Sequence, residues 1–341
     1  MSEQPPFELL RGGGLEVTTF SEVHGEADLD TVAAGLEFVR AHGCDCVVGI
    51  GGRSVLDTAK AIAGLARQSQ DIRIYHAGYP PENPSLPMLA VPTTAGTGAE
   101  VTRNAVLTDP RTAFKQSIHV NDWFPQVALV DPRLTHTLNA EVSARVGADA
   151  LCQAIEAYTS IAASAITDGL AEQAIALIGP HLLWVCRDGS DERAREAMSM
   201  GSLLAGMAMS NARLGAVHGM AHPLRAHYHI PHGTVCAILL APTMRHNLPY
   251  AYFKYAEVAS LLGVAELADD AHGNAQRAID HIAEMLAEAG LPAHLSPMVC
   301  ASSTSMTSPL RRCFPARPRT IRVKCSTRIS ARCCWQPCKG E

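Results

Sequence analysis

Aromatic residues make up only 5% of the 341-residue chain, with seven Phe, seven Tyr and three Trp. So few rings offer no basis for an aromatic substrate cage. Apolar runs are short too: none approaches the roughly 20 residues that a transmembrane helix needs. The first residues, MSEQPPFELLRGGG, lack a basic segment followed by an apolar core, so no secretory signal is expected. Eleven cysteines occur without a paired CxxC zinc pattern. Cys44 and Cys46 alternate in an apolar run and read as ordinary strand residues. There is no GxxxxGK[ST] phosphate loop and no internal repeat. These absences predict a cytoplasmic protein with reduced thiols and no membrane partner.

What is present is an ordinary apolar and charged content, 47% and 18%, on a chain long enough for two domains. The net charge of −5 is unevenly spread. From Cys300 to Glu341, nine Lys and Arg face one acid, a net of +8 that leaves −13 on the rest. An acidic body is not a nucleic-acid partner. Residues 297–341 carry six cysteines and no helical or strand period. They are expected to be a disordered tail foreign to the fold; a DNA-binding arm would show steep salt dependence.

Residues 15–132 alternate between strand and helix signals. LEVTTF (15–20), CVVGI (46–50), MLAVP (88–92), AVLTD (105–109) and QVALVD (126–131) read as strands. DLDTVAAGLEFVRAHG (28–43) and SVLDTAKAIAGLAR (54–67) read as helices. The alternation predicts an α/β layer with a largely parallel sheet. From about Asn139 to Gly290 only helices are expected, at 140–160, 167–185, 191–211 and 274–290. The boundary is expected within 131–139.

Two loops in the first part carry a nucleotide signal. Gly51-Gly52-Arg53-Ser54 lies between a strand and a helix. Glycines there let the backbone approach a pyrophosphate, and the helix N-terminus offers free N–H groups and a positive dipole end. A Gly-Gly pair alone is as often a turn. In VPTTAGTGAEVT (91–102), Thr93, Thr94, Gly96, Thr97 and Gly98 follow a strand directly, where open α/β sheets bind ligands. N-cap threonines would explain the hydroxyls equally, but two such loops favour a ligand.

A metal signal lies in the second part. Five of the 15 histidines fall within residues 216–233. Asp149 and Gln153 share a helix face at a spacing of four, as do His218 and His222. His232 follows in Pro231-His232-Gly233, a turn sequence. A carboxylate with two or three imidazoles suits a divalent transition metal. His218 and His222 sit in a run expected to be buried, and a buried histidine needs a partner, either a metal or a hydrogen-bonded group. His227 and His229 suit an outer or substrate-facing role.

GGRSVLDTAKAIAG, VPTTAGTGAEVTRNAVLTD, DALCQAIEAYTS and HGMAHPLRAHYHIPHG resemble the successive signatures of the iron-containing (group III) alcohol dehydrogenase family, over residues 12–296. The resemblance implies an α/β N-terminal dinucleotide-binding domain, incomplete Rossmann-like, over 1–137, and an all-α C-terminal metal-binding domain over 138–296, with the active site between them. It places Asp149, His218 and His232 at metal-ligand positions, and Gln153 where many members carry a third histidine ligand. His222 falls on the histidine near nicotinamide and substrate. Gly51, Gly52 and Ser54 match the pyrophosphate loop; Thr93, Thr94, Thr97, Asn104 and Lys115 match further cofactor contacts. The implied activity is hydride transfer between NAD or NADP and a small alcohol or aldehyde, with Fe²⁺ or Zn²⁺ as Lewis acid. A homo-oligomer is implied as well.

This chain also departs from the family. Arg53 replaces a glycine, at a cost if the position needs positive φ, or as a charge that holds phosphate. Family members carry about 40 to 50 more residues before LEVTTF, enough for whole layer elements, and helices in place of the tail. Two other readings therefore stand beside the first: an inactive truncated fragment or pseudoenzyme, and a zinc enzyme of the related glycerol dehydrogenase and dehydroquinate synthase group.

Overall fold

The computed structural model describes residues 6–295 apart from 113 and 229; at 6, 7, 9, 222 and 225–227 it describes the backbone but not the side chain. The tail expected over 297–341 lies outside the described residues. The chain separates into two compact units. The first comprises the described residues up to Pro92 together with Arg103–Leu129; the second comprises Thr93–Thr102 and the described residues from Val130 on.

The first unit opens with α1 (Pro6–Gly12) and α2 (Leu29–Ala41). Asp28 caps α2 by accepting from the Thr31 N–H at 2.8 Å, and Gly43 follows its end at φ +61°. Leu29, Val32 and Leu36 of α2 are buried, each contributing roughly 1.5–3 kcal/mol. Next come β1 (Val47–Gly51), α3 (Arg53–Leu65), α4 (Ile72–His76), β2 (Met88–Pro92), β3 (Asn104–Asp109), β4 (Phe114–His119) and β5 (Val127–Ala128). Strands β1, β2 and β5 form a parallel sheet in the order β1-β2-β5, with Val47 opposite Met88 and Ala90 opposite Ala128. The expected parallel layer is therefore small. AVLTD belongs to a separate antiparallel ribbon, β3 with β4.

LEVTTF is not a strand. Residues 15–20 pair with no described strand, and alternation alone cannot build a ladder whose N–H and C=O groups need a partner. Cys44 and Cys46 precede β1 rather than lie in it.

The second unit is all-helical after a short 3-10 turn at Pro132–Thr135: α5 (Ala140–Tyr158), α6 (Ala165–Arg187), α7 (Glu192–Ala212), α8 (Ala216–Tyr228), α9 (His232–Leu261) and α10 (Ala271–Glu288). Side-chain caps set the starts of four: Asn139, Ser164, Asp191 and Asp270 each accept a hydrogen bond from a first-turn N–H. Small residues let α5 sink into the middle. From Gly147 to Tyr158 every residue of α5 is buried.

One reading of the sequence needs amendment: by length and composition alone, α6 could cross a membrane. Its Ala171, Ala174, Ile175, Ile178 and Leu182 instead pack into the helical core.

The loop 93–102 joins the helical unit because its glycines pack there. A Cβ on Gly98 would stand 2.5 Å from the Gly206 Cα, and one on Gly96 would stand 2.7 Å from the Val146 Cβ. Ser210 Oγ also donates to the Val101 carbonyl at 3.1 Å. By its packing the first compact unit ends at Leu129, and residues 93–102 go with the helices.

Buried Arg195 ties α7 to the entry of α5. Its guanidinium donates to the carbonyls of Gly189 and Leu138 at 2.9 Å each, and to Ser143 Oγ at 3.0 Å. Exchange of Arg195 for methionine keeps most of the volume and strands three acceptors. We expect a loss of about 3 kcal/mol, read as a lower urea midpoint.

Candidate metal centre

Helix α5 presents Asp149, Cys152, Gln153 and Glu156 at spacings of three, four and seven, the period of one helix face. All four are buried. Helix α8 brings His218, and α9 begins with His232. The expected turn at Pro231-His232-Gly233 is a helix start, with Pro231 as N-cap residue. Gly233 makes that start possible: a Cβ there would lie 2.0 Å from the Arg145 carbonyl oxygen. The N-terminus of α9 therefore rests directly on the backbone of α5.

Three of the four expected ligands converge. His218 Nε2 lies 3.1 Å from Asp149 Oδ1, and His232 Nε2 lies 3.6 Å from the same oxygen. The two imidazoles stand edge to face with centroids 5.3 Å apart. The fourth, Gln153, is buried, and its Oε1 has no hydrogen-bond partner among the described residues. The side chains of His222 and His227, and all of His229, lie outside the described residues.

Two further groups, absent from the sequence reading, complete the cluster. Cys236, four residues after His232, places Sγ 3.7 Å from His232 Nε2 and 3.9 Å from His218 Nε2. One ligand atom from each of Asp149, His218, His232 and Cys236 lies within 4.8 Å of the others. Glu156 takes the far side of His218. Its Oε2 accepts from Nδ1 at 2.6 Å, while Oε1 accepts from the Val217 N–H at 2.6 Å. One carboxylate thus caps the start of α8 and fixes the orientation of the ring.

Burial works against charge on His218, but Cys236, Asp149 and Glu156 outweigh it and lift its pKa well above the ordinary imidazole value. A hydrogen bond with Cys152, aided by His218, pulls the Cys236 thiol well down. Two carboxylates and a thiol are thus gathered about two imidazoles in the core. Two carboxylates, two imidazoles and a thiol, beside an orphaned amide oxygen, fit a divalent transition metal.

In the first unit, Gly51 ends β1 and Gly52 is the N-cap of α3, with no side chain capping that helix. Its first N–H groups have no acceptor within the helix. Ser54 is in the first turn. Arg53 carries no backbone strain, since the one non-glycine residue at positive φ among those described is Arg213; its Nε lies 3.5 Å from Asp57. In the other unit, Thr93, Thr94 and Thr97 are half-buried. Asn104 and Lys115 have partners within the first unit: Asn104 Nδ2 donates to Ser117 Oγ at 3.1 Å and Lys115 pairs with Glu26 at 2.7 Å.

A helical unit that buries a candidate donor set, in one chain with a parallel-sheet unit bearing a glycine turn, is an arrangement open to several metal-binding classes. The comparisons with known proteins narrow the class. The model of iron-containing alcohol dehydrogenase matches residues 4–132, and that of the C-terminal part of the same family matches residues 143–303. The chain belongs to the iron-containing alcohol dehydrogenase family and is an alcohol dehydrogenase. It is 41% identical to a 1,3-propanediol dehydrogenase of Citrobacter freundii, over 84% of this chain and 74% of that one. The crystal structure of a 1,3-propanediol oxidoreductase superposes with a TM-score of 0.83 at 39% identity, covering 86% of this chain and 77% of the other. A sulfoacetaldehyde reductase from Bifidobacterium kashiwanohense, solved with NAD⁺, gives 0.77 at 32% identity, covering 83% and 73%.

Proposed function

We propose that the chain interconverts a small alcohol and its aldehyde, using a nicotinamide dinucleotide and one divalent metal. The observation that carries this reading is the approach of Asp149 Oδ1, His218 Nε2 and His232 Nε2 in a buried core. The family supplies the rest, and the propanediol and sulfoacetaldehyde enzymes point to short, polar substrates.

In this reading Asp149, His218 and His232 hold Fe²⁺ or Zn²⁺, with Gln153 on the same helix face. Once bound, the metal supplies Lewis acidity to the substrate oxygen and NAD or NADP carries the hydride. Glu156 keeps a proton on His218 Nδ1, so that Nε2 is the lone-pair nitrogen. Gln153 Oε1 offers a buried acceptor to the substrate hydroxyl. His222, one turn of α8 beyond His218, relays the hydroxyl proton or orients the nicotinamide. Gly51, Gly52 and Ser54 receive the pyrophosphate at the start of α3. Thr93, Thr94, Thr97, Asn104 and Lys115 contact the remainder of the dinucleotide. A reducing cytoplasm suits the free thiols, and a homo-oligomer is the assembly we assign.

The test is metal content and turnover of the full chain, reconstituted anaerobically with Fe²⁺ or Zn²⁺ and then desalted. About one metal per chain is expected. The His218→Ala His232→Ala chain should hold none and should not reduce NAD⁺ with 1,3-propanediol. Metal retained by the double variant would remove the site from the reading.

A further inference from the structure

We infer that Cys236 is a thiolate donor to the metal of this site, taking the place of the strong ligand that Gln153 does not provide. The inference rests on the metal reading above and deepens it.

Four atoms mark out a polyhedron. Around a tetrahedral centre, metal–nitrogen and metal–oxygen bonds of about 2.0–2.1 Å and metal–sulfur bonds of about 2.3 Å are usual. Those lengths require edges of roughly 3.4 Å between light donors and roughly 3.6 Å between sulfur and nitrogen. The edges from Asp149 Oδ1 to His218 Nε2 and His232 Nε2 are 3.1 and 3.6 Å. Those from Cys236 Sγ to the same two nitrogens are 3.9 and 3.7 Å. Four of the six edges thus come within a few tenths of an ångström of the figure, and the other two lie within 4.8 Å.

The helix explains how it gets there. Cys236 is four residues beyond His232 on α9, so both share the face turned to α5. The seat of Gly233 on the Arg145 carbonyl fixes that face.

Cys152 is a poorer candidate. Its Sγ approaches His218 at Nδ1, 3.9 Å away, the nitrogen already bonded to Glu156. Cys236 lies on the Nε2 side, with Asp149. Gln153 brings only a neutral amide, a weak donor to a transition metal beside imidazole or thiolate. With sulfur as fourth donor, the bound metal would still be able to accept the substrate oxygen, since catalytic centres of this kind can expand to five donors. A thiolate also shifts preference from Fe²⁺ toward softer Zn²⁺ and Co²⁺. Binding releases the thiol proton to solvent.

Cobalt(II) reads the bond directly. The full chain, stripped of metal and loaded anaerobically, should bind one cobalt and show a near-ultraviolet sulfur-to-cobalt charge-transfer band besides its visible bands. Cys236→Ser should keep cobalt and lose the charge-transfer band, with zinc bound at least about tenfold more weakly. Cys152→Ser should retain the band. Should Cys236→Ser fail to fold, X-ray absorption of the zinc-loaded chain and of Cys152→Ser should each show one sulfur at about 2.3 Å. Cobalt that binds through His218 without the band, or a band that survives Cys236→Ser, overturns the inference and leaves the metal site standing. A chain that binds no cobalt, or binds it regardless of His218→Ala, overturns both.

Discussion

Exchange of Gly233 for alanine is expected to cost about 3 kcal/mol or more and to empty the metal centre with it. The added Cβ would meet the Arg145 carbonyl oxygen at 2.0 Å and its carbon at 2.7 Å. Both atoms are backbone of α5, a helix buried along most of its length. No rotamer can relieve the clash. The N-terminus of α9 must lift away, and His232 is its first residue. Loss of His232 from Asp149 follows from a change that touches no ligand. The measurement is the thermal midpoint together with zinc per chain. Gly219→Ala is the control. It lies on α8 with nothing within 4 Å of its Cβ position, so it should be neutral or stabilising by up to about 1 kcal/mol. Equal behaviour of the two variants would refute the argument from close approach.

The second large effect is expected at Glu156. Glutamine there should weaken zinc binding by about 10- to 100-fold while the circular dichroism stays unchanged. The amide oxygen of glutamine can still accept from the Val217 N–H, now 2.6 Å from Glu156 Oε1, so the cap of α8 survives. Its NH₂ then faces His218 Nδ1, where a carboxylate oxygen now accepts at 2.6 Å. Two donors cannot share that contact. The ring must present Nδ1 as acceptor and carry its proton on Nε2, where the metal belongs. Alanine should be worse, since it also removes the cap. Zinc affinity by competition with a chromophoric chelator measures both. An unchanged affinity in Glu156→Gln would mean that the tautomer is set by something other than this carboxylate.

Much of the architecture is legible in the order of residues. Asp28 before an apolar period of 3.6, and Gly43 after it, delimit α2. MLAVP is a strand over its full predicted length. Asp149 and His218 stand out because a carboxylate and an imidazole in apolar helices need a partner. Cys236 and Glu156 were equally visible as i+4 and i+7 neighbours, but a thiol in a core passes for a small apolar residue and a glutamate in a helix for an exposed one.

Other features required the folded chain. LEVTTF has the alternation of a strand and no described partner to pair with. AVLTD reads like a parallel strand, yet pairs antiparallel with Phe114–His119. The glycines of 93–102 read as a ligand loop. Gly96 and Gly98 are there because Val146 and Gly206 leave no room for a Cβ. The hydroxyls beside them keep their proposed ligand role without needing those glycines to approach a phosphate.

The sequence by itself determined the class of each unit and the helix faces that carry Asp149, Gln153 and His218, because periodicity and capping are local, while His232 read as part of a turn. Which of those faces meet, and at what distance, is a matter of contacts between residues 60 to 90 positions apart. Tertiary structure alone decided that Glu156 would reach His218 across 62 residues. It alone set the start of α9 against the Arg145 carbonyl, and so turned Cys236 from a buried thiol into a neighbour of two imidazoles. Such pairings depend on the packing of whole helices, which fixes side-chain positions to a few tenths of an ångström, and no local pattern encodes them.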